Sequence, residues 1–350
     1  MSELRVLYST RDNRPGRRRG GRRGRGGWRR PARRRHLIRR AVAVIVLAVA
    51  ALVLISLFDT SSGHHHRRIA VVTKPARPVR RKPPDPTSMY ARLRDRAQVS
   101  PRLKLGLRAG LLFDVNSGRV LWAHDPSRPL PIASLTKMMT ALVVATHSNA
   151  RAEVLITRQA TDFSGSGVGL LPRGRRVPEL PLLYGLMLPS GNDAAMALAQ
   201  HVGGTAVHFV RLMNAQANKL GLSCTHFSNA SGISDRGNYS CPRDLAVLAH
   251  AIVKQPLLRR VVSTRSAILR FPIKGGKLYL YNNNPLLMAR YRGADGVKTG
   301  FTSAAGLCLV ATARQDGHWL GVVLLHSGNW LTQAETLLNA GFHALRRAPG

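Results

Sequence analysis

The longest apolar stretch of the chain lies near its start, at residues 41–58, where eighteen consecutive positions carry no charge. A helix of that length comes close to crossing the hydrocarbon core of a bilayer. Arg39 and Arg40 stand directly before the stretch and Asp59 directly after it. The pattern predicts one uncleaved transmembrane helix over residues 41–58. A cleaved signal peptide is the alternative, but the stretch is longer than a typical signal core and no small-x-small cleavage site follows it.

Beyond residue 104 the apolar positions form shorter groups, which alternate or recur with a helical period. Two strand-like runs, at 111–115 and 119–123, flank the turn-forming residues 116–118 and predict a β-hairpin. Apolar residues at the spacing i, i+3, i+4 and i+7 then predict a buried helix. They are Leu135, Met138, Met139 and Leu142.

The remainder of this region continues with helices and then strands. Helices are predicted from Asp193 onward and over 206–220, the second ending at Gly221. Strand-like runs follow at 277–281, 307–313 and 320–325, and an amphipathic helix over about 330–345 comes last. Strands at both ends with helices between them predict an α+β fold with one mostly antiparallel sheet. Residues 104–350 are enough for one sizeable core, and we predict one domain there.

Charge is distributed unevenly along the chain, which has 54 Lys and Arg against 16 Asp and Glu, a formal net charge of +38. Residues 1–40 hold sixteen Arg, with Glu3 and Asp12 as their acids, and predict a disordered basic arm. The positive-inside rule places this arm in the cytoplasm, near anionic lipid head groups, and everything after residue 58 outside the membrane. Nucleic acid, which such an arm could also bind, is not the expected partner.

Residues 59–103 are rich in Pro and Arg, which predicts an extended spacer between the membrane and the domain. Three adjacent His at 64–66 lie in this spacer. Neighbouring His in a flexible linker do not readily converge on one ion, so no metal site is expected there.

The chain has three Cys, in a region predicted to lie where disulfides form. Cys224 and Cys241 flank a loop rich in Gly, Ser and Asn. A disulfide between them would stabilise the fold by about 3 kcal/mol in the loop-entropy account. Cys308 lies in an apolar stretch and is interpreted as a buried thiol. The odd number of Cys leaves other pairings open.

Three short strings carry the candidate chemistry: Ser134-Leu-Thr-Lys137, Ser190-Gly-Asn192 and Lys298-Thr-Gly300. Ser134 stands at the start of the predicted apolar helix, where backbone N–H groups and the helix dipole favour developing negative charge. Lys137 follows one turn later on the same face. A serine that needs a nearby base requires this arrangement.

The other two strings also have an informative context. The second lies on the loop before the helix predicted from Asp193 and can present two polar side chains to a cleft. The third leads towards a strand, where Gly300 would let a substrate backbone approach closely. Another Ser-Gly-Asn string, at 327–329, falls directly before the last helix, so helix capping is its predicted role.

In this order the strings form the S-x-x-K, S-x-N and K-T-G set of penicillin-binding proteins and class A β-lactamases. Residues from about 109 to 345 resemble a serine D-alanyl-D-alanine carboxypeptidase, a low-molecular-mass penicillin-binding protein. The resemblance is carried by segments 131–137 (PIASLTK), 188–195 (LPSGNDAA), 225–227 (THF), 240–245 (SCPRDL) and 295–302 (DGVKTGFT). It implies the serine β-lactamase/D,D-peptidase fold: an antiparallel sheet, a helical lobe and an active site between them.

The resemblance also implies roles for the first two strings. Ser134 would be the acylated nucleophile and Lys137 its base. Ser190 would relay a proton to the leaving D-Ala, and Asn192 would hold the substrate amide. The substrate would be a peptidoglycan stem peptide, β-lactams would be covalent inhibitors, and no cofactor or metal would take part.

The third string is implied to bind the substrate. Lys298 would supply positive potential, and Thr299 would bind the terminal carboxylate beside Gly300. The backbone N–H groups of Ser134 and Phe301 would form the oxyanion hole.

Two other functions are possible from the sequence. A β-lactamase of the same fold would deacylate through a Glu after the second string, but no Glu occurs between Glu179 and Glu335. Neither Asp235 nor Asp244 lies in an E-x-x-L-N-like string, so a long-lived penicilloyl-enzyme is expected. A non-catalytic wall-binding protein with a relic site is the second alternative, although every polar group that the chemistry needs is present. Gly191 stands where the class A string has Asp, a variant associated with the carboxypeptidase branch.

Overall fold

The computed structural model describes residues 105–163, 165–169, 171–233 and 236–347 of the 350-residue chain. The predicted basic arm (1–40), transmembrane helix (41–58) and linker (59–103) lie outside these residues and stay predictions. Of the helices within the described ranges, none combines the length and the apolar character that a membrane span needs.

The elements follow the chain in an order that starts and ends at one sheet. The strands are β1 (Ala109–Asp114), β2 (Val120–His124), β3 (Leu130–Pro131), β4 (Glu153–Leu155), β5 (Arg176–Pro178), β6 (Tyr239–Ser240), β7 (Ser266–Arg270), β8 (Lys277–Tyr281), β9 (Ala294–Thr302), β10 (Gly306–Gln315) and β11 (His318–Ser327). The helices are α1 (Thr136–His147), α2 (Arg158–Thr161), α3 (Glu179–Met187), α4 (Asn192–Gly203), α5 (Ala206–Lys219), α6 (Pro242–Lys254), α7 (Pro256–Ser263), α8 (Pro285–Met288) and α9 (Trp330–Arg347). A 3₁₀ turn (Ala133–Leu135) directly precedes α1.

Five strands form the main sheet, in the order β2-β1-β11-β10-β9, and every neighbouring pair is antiparallel. The β1–β2 hairpin turns where the sequence predicts, because Asp114 Oδ1 accepts from the backbone N–H of Ser117 (2.6 Å) and Asn116 (3.0 Å). β1 also pairs with β11 near the other end of the chain, with Leu112 opposite Val322. The predicted α+β class with an antiparallel sheet is confirmed.

The two faces of the sheet are covered by different helices, as the two-residue period of a strand requires. Leu111 and Phe113 of β1 belong to the larger core, which includes residues of α1 and α3–α7. Leu112 between them belongs to a second core with Leu337 and Phe342 of α9. The helical lobe therefore lies on one side of the sheet, and the predicted C-terminal amphipathic helix closes the other.

Candidate active site

Ser134 lies in the 3₁₀ turn that leads into α1 and is half-buried. Leu135 N–H donates to Ile132 O (3.1 Å), which closes the turn. Ala133, directly before the serine, has a left-handed φ of 46°. Such a backbone is uncommon for a residue with a Cβ. The surrounding structure therefore holds the serine in a defined position at the start of the helix.

Lys137 lies one turn further on and is completely buried. Its Nζ donates to Asn192 Oδ1 (2.7 Å) and to the backbone oxygen of Ser231 (2.7 Å), and it lies 3.1 Å from Ser134 Oγ. The first two partners are carbonyl oxygens, which only accept. They therefore take the two N–H bonds of a neutral amine and direct its lone pair to the hydroxyl of Ser134. The same geometry lets the ammonium form donate to Oγ.

The second string, Ser190-Gly-Asn192, meets Lys137 from the helical lobe. Ser190 lies in the loop after α3, and its φ of 70° is left-handed although it is not a glycine. Its side chain is 6% exposed, and among the described residues nothing hydrogen-bonds its Oγ. Asn192 is the first residue of α4 and turns its amide oxygen to Lys137. Strained backbone and an unpaired buried hydroxyl are both typical of functional positions.

The third string lies inside β9, not before a strand as the sequence suggested. Lys298 and Thr299 are 1% and 6% exposed, and Lys298 Nζ donates to Thr299 O (3.0 Å). Gly300 is needed for a different contact from the expected one: a Cβ there would lie 2.9 Å from Ile132 O and 3.0 Å from Ser134 N. The glycine thus lets the strand approach the protein's own 3₁₀ turn.

Two buried lysines therefore share this site, and burial changes the pKa of both. Desolvation lowers the pKa of Lys137 well below its usual value, and the nearby positive charge of Lys298 lowers it further, whereas Asp193 raises it. Desolvation lowers the pKa of Lys298 to about 7. Burial disfavours the charged ammonium, and a second cation acts in the same direction. Burial therefore favours the neutral amine at both lysines.

Sequence reasoning missed the segment that supplies the carbonyl of Ser231. Thr140 Oγ1 donates to Ala230 O (2.7 Å), which ties this segment to α1. Gly232, with φ 75°, packs so closely that a Cβ would lie 1.9 Å from Ala133 O. The only available signal was the turn chemistry of Asn229-Ala-Ser-Gly232. Backbone contacts of this kind have no signature in residue type.

Cys224 and Cys241, which precede and follow residues 229–232 in the sequence, form a disulfide with Cα atoms 5.9 Å apart. Cys308 is a buried thiol in β10, opposite Gly300. The cysteines of the disulfide and Asp244 make one cluster whose atoms lie close enough to bind a metal. Cysteine binds a metal as the thiolate, and both sulfurs are in the disulfide, so this cluster offers only the carboxylate.

Two further predictions concern Phe301 and the other Ser-Gly-Asn string. Phe301, directly after the third string, is 63% exposed on β9. The other Ser-Gly-Asn string lies at the start of α9, where Asn329 Oδ1 accepts from the backbone N–H of Thr332 (3.2 Å). Helix capping, the role predicted for that string, is confirmed.

The carboxylates of Asp193 and Asp244 accept hydrogen bonds from protein donors. Asp193, next to Asn192, accepts from the backbone N–H of Val168 (2.8 Å) and Gly169 (3.2 Å). Asp244 accepts from Thr225 Oγ1 (2.7 Å). The arrangement as a whole is a serine beside a buried lysine, with a second hydroxyl and a second lysine at hand. It can perform nucleophilic acyl transfer.

Comparison with known proteins agrees with this chemistry. The D-alanyl-D-alanine carboxypeptidase family of serine peptidases (S11) matches residues 97–329. The chain is 33% identical over 213 residues to DacF of Bacillus subtilis and 37% identical over 215 residues to DacA of Escherichia coli K12, covering 59% of this chain in each case. The matches span 54% and 52% of those two relatives, about half of their length.

A solved structure gives the same result for the fold. The crystal structure of the Streptomyces K15 DD-transpeptidase is 34% identical, with a TM-score of 0.65, and the match covers 70% of this chain and all of that one. A family match over most of the chain, a shared fold and the three strings in one site lead to one conclusion. The chain belongs to the D-alanyl-D-alanine carboxypeptidase family.

Proposed function

We propose that the protein is a serine D-Ala-D-Ala carboxypeptidase that removes the terminal D-Ala of peptidoglycan stem peptides. The observation that carries this proposal is the position of the Lys137 amine. Two carbonyl acceptors occupy its N–H bonds at 2.7 Å each, and Ser134 Oγ lies 3.1 Å away. A buried neutral amine in this position is a base for the serine hydroxyl.

In the first step, the proton of Ser134 Oγ moves to Lys137 Nζ while Oγ attacks the carbonyl carbon of the penultimate D-Ala. The resulting oxyanion is stabilised by the backbone N–H groups of Ser134 and Phe301. The C–N bond then breaks, and the leaving amine of the terminal D-Ala takes a proton through Ser190. Water hydrolyses the ester and releases the shortened peptide and the enzyme.

The third string and Asn192 position the substrate in this proposal. Asn192 holds the substrate amide and orients Lys137 at once, since its oxygen is already bonded to Nζ. Lys298 and Thr299 bind the terminal carboxylate beside Gly300. Binding of that anion favours the charged form of Lys298, whose pKa burial lowers to about 7.

β-Lactams follow the same first step, and the ring-opened product stays attached to Ser134. A β-lactamase needs a further base to hydrolyse this adduct quickly. No Glu occurs between Glu179 and Glu335, and the carboxylate of Asp193 already accepts from the backbone N–H of Val168. The proposal therefore includes a long-lived penicilloyl-enzyme, in preference to β-lactamase activity. A catalytic role is likewise proposed in preference to a non-catalytic wall-binding role.

The test combines one variant with product analysis. Ser134→Ala is expected to abolish both D-Ala release and covalent penicillin labelling, because the nucleophile is absent, and Ser327→Ala is the matched control. Mass spectrometry of products from a pentapeptide and a cross-linked dimer distinguishes carboxypeptidase from endopeptidase. Including an amine acceptor detects transfer, the activity in the name of the Streptomyces K15 protein. A penicillin adduct on the Ser134→Ala variant would contradict the assignment.

The proposed location is the outer face of the cell membrane, with residues 1–40 in the cytoplasm and residues 41–58 as the single span. The support is the sixteen-Arg arm that precedes an apolar run of eighteen residues. Protease added to intact spheroplasts is expected to cut within residues 59–103. Protection of that segment would contradict the orientation.

A further inference from the structure

The β7–β8 hairpin has one face in the core and one in solvent. Leu278 and Leu280 are 5% and 2% exposed, and the residues that alternate with them point outward. The outward side chains include three large apolar or aromatic groups that are 57–64% exposed, followed by two cations towards the hairpin tip. We call this set the hairpin face: Ile268, Arg270, Lys277, Tyr279 and Tyr281.

The hairpin is held rigidly beside the active site. Asn282, at the end of β8, donates through Nδ2 to Val262 O (3.2 Å) and Thr264 O (2.9 Å). The backbone N–H of Asn283 donates to Leu188 O (3.1 Å), two residues before Ser190. Whatever contacts the hairpin face therefore also sets the orientation of the site.

The charge around the hairpin is mostly positive. Between Asp244 and Asp295 the sequence contains nine Lys and Arg and no acidic residue. Arg270 and Lys277 lie directly opposite each other across the two strands, an arrangement that destabilises an antiparallel pair. The charged residues that line the groove at the hairpin tip are Arg270, Lys277, Arg176 and Glu153. A pair of neighbouring cations costs the fold stability. Such a pair is expected where an anionic partner neutralises the charge.

The apolar part of the hairpin face selects the kind of anionic partner. A soluble polyanion would be bound by the cations and would leave Ile268, Tyr279 and Tyr281 in water. A bilayer surface accommodates both groups, because tyrosines concentrate at the membrane–water interface and Lys and Arg contact anionic head groups. A contiguous apolar patch with a basic border also marks an interaction surface in general.

We propose that the hairpin face docks on the surface of an anionic lipid bilayer. In the docked state Tyr279, Tyr281 and Ile268 enter the head-group region while Arg270 and Lys277 contact lipid phosphates. The active site then has a fixed height and direction above the membrane. This inference does not depend on the peptidase reaction.

The test measures depth at a single position of the full chain. A fluorophore is attached through Tyr279→Cys and, as a matched control, through Val207→Cys, which is 71% exposed on α5. The native cysteines do not compete, since Cys308 is buried and the other two form the disulfide. The protein is combined with phosphatidylglycerol/phosphatidylcholine vesicles, or with phosphatidylcholine alone, that carry spin-labelled lipids.

The expected result is quenching and a blue shift at position 279 with the anionic vesicles, and neither at position 207. The double substitution Arg270→Glu/Lys277→Glu is expected to abolish the quenching at 279 while penicillin labelling of Ser134 persists, which shows that the variant folds. Because quenching is read at one position, vesicle binding by residues 1–104 does not imitate it.

Three results would overturn the proposal. One is no lipid quenching at position 279, and another is equal quenching at positions 207 and 279. The third is a response of the 279 fluorophore to soluble polyphosphate with no quenching by lipid, which would assign the hairpin face to a soluble polyanion.

Discussion

The chain contains the string Ser-Gly-Asn twice, and the two copies have different surroundings. In the first copy, Ser190 has a left-handed backbone, and its buried Oγ has no hydrogen bond among the described residues. Asn192 contacts the amine of Lys137. In the second copy, Ser327 donates to Gln333 Oε1 (2.6 Å) and Asn329 caps α9. The first copy thus has an unpaired serine hydroxyl and an amide bonded to a buried lysine, and the second uses its polar groups to stabilise the fold.

The difference has a structural origin. The first copy lies beside the start of α1, so its side chains converge with residues distant in sequence. The second lies between a sheet strand and the helix that covers the sheet, so its partners are three to six residues away. Position in the fold, and not the tripeptide itself, decides what the side chains contact.

The largest expected difference between the copies comes from one substitution made in each. Asn192→Asp places a carboxylate at the Lys137 amine, where it favours the ammonium form and raises the pKa of Lys137. The rate of acylation by a labelled β-lactam is expected to fall by roughly 10²- to 10⁴-fold at neutral pH, the usual range for loss of a general base. The rising limb of the pH profile should move to higher pH, towards the range in which Lys298 loses its charge, so the maximum rate should fall as well.

Asn329→Asp is the matched control, since Asp caps a helix as well as Asn does and its charge suits a helix N-terminus. Acylation and the thermal unfolding midpoint should both stay at the parent values. Equal loss of acylation in the two variants would mean that the copies do not differ as described.

A smaller effect is expected for the serines. Ser190→Ala removes the hydroxyl proposed to carry a proton to the leaving amine and should lower D-Ala release by about 10²-fold. Ser327→Ala removes only the bond to Gln333 and should lower stability by about 1 kcal/mol without changing the rate. Parallel peptide turnover and thermal melts check both. Intact turnover in Ser190→Ala would show that the proton takes another route.

Local patterns predicted much of the fold. Period and turn chemistry predicted the β1–β2 hairpin, the helix that carries Lys137, α5 with its end before Gly221, strands β8, β10 and β11, and α9. Strand β8 pairs with β7 in a separate two-stranded sheet and not with the main sheet. Helices α3, α6 and α7 were not predicted, although the starts of α6 and α7 carry Pro at the first helical turn. Helix α3 is buried on almost all sides, so its apolar residues show no contrast of faces. Helices α6 and α7 are amphipathic, and their pattern was overlooked.

The candidate site was predicted in its residues but not in its geometry. The order of the three strings indicated Ser134 and Lys137, yet nothing local indicated the carbonyl of Ser231 or the left-handed backbone at Ala133. Gly300 was predicted to let a substrate approach the strand. In the structure, a glycine is needed there because β9 packs on the turn that holds Ser134. Such features arise from backbone contacts between distant segments, which residue type does not encode.

The central claim is that Lys137 acts as a neutral base while Lys298 acts through its charge. The most direct test is the second-order rate constant of acylation by a labelled β-lactam across pH, in the parent, Lys137→Arg and Lys298→Arg. In the parent the rate should rise with pH as Lys137 loses its proton, and fall above a pH of about 7 as Lys298 loses its own.

The two substitutions separate the limbs of this profile. Lys137→Arg should be nearly inactive at every pH, because a guanidinium does not deprotonate in a protein. Lys298→Arg should keep the rising limb and lose the falling one, since its charge is permanent. A flat profile in the parent, or equal damage from the two substitutions, would contradict the claim and place the base elsewhere.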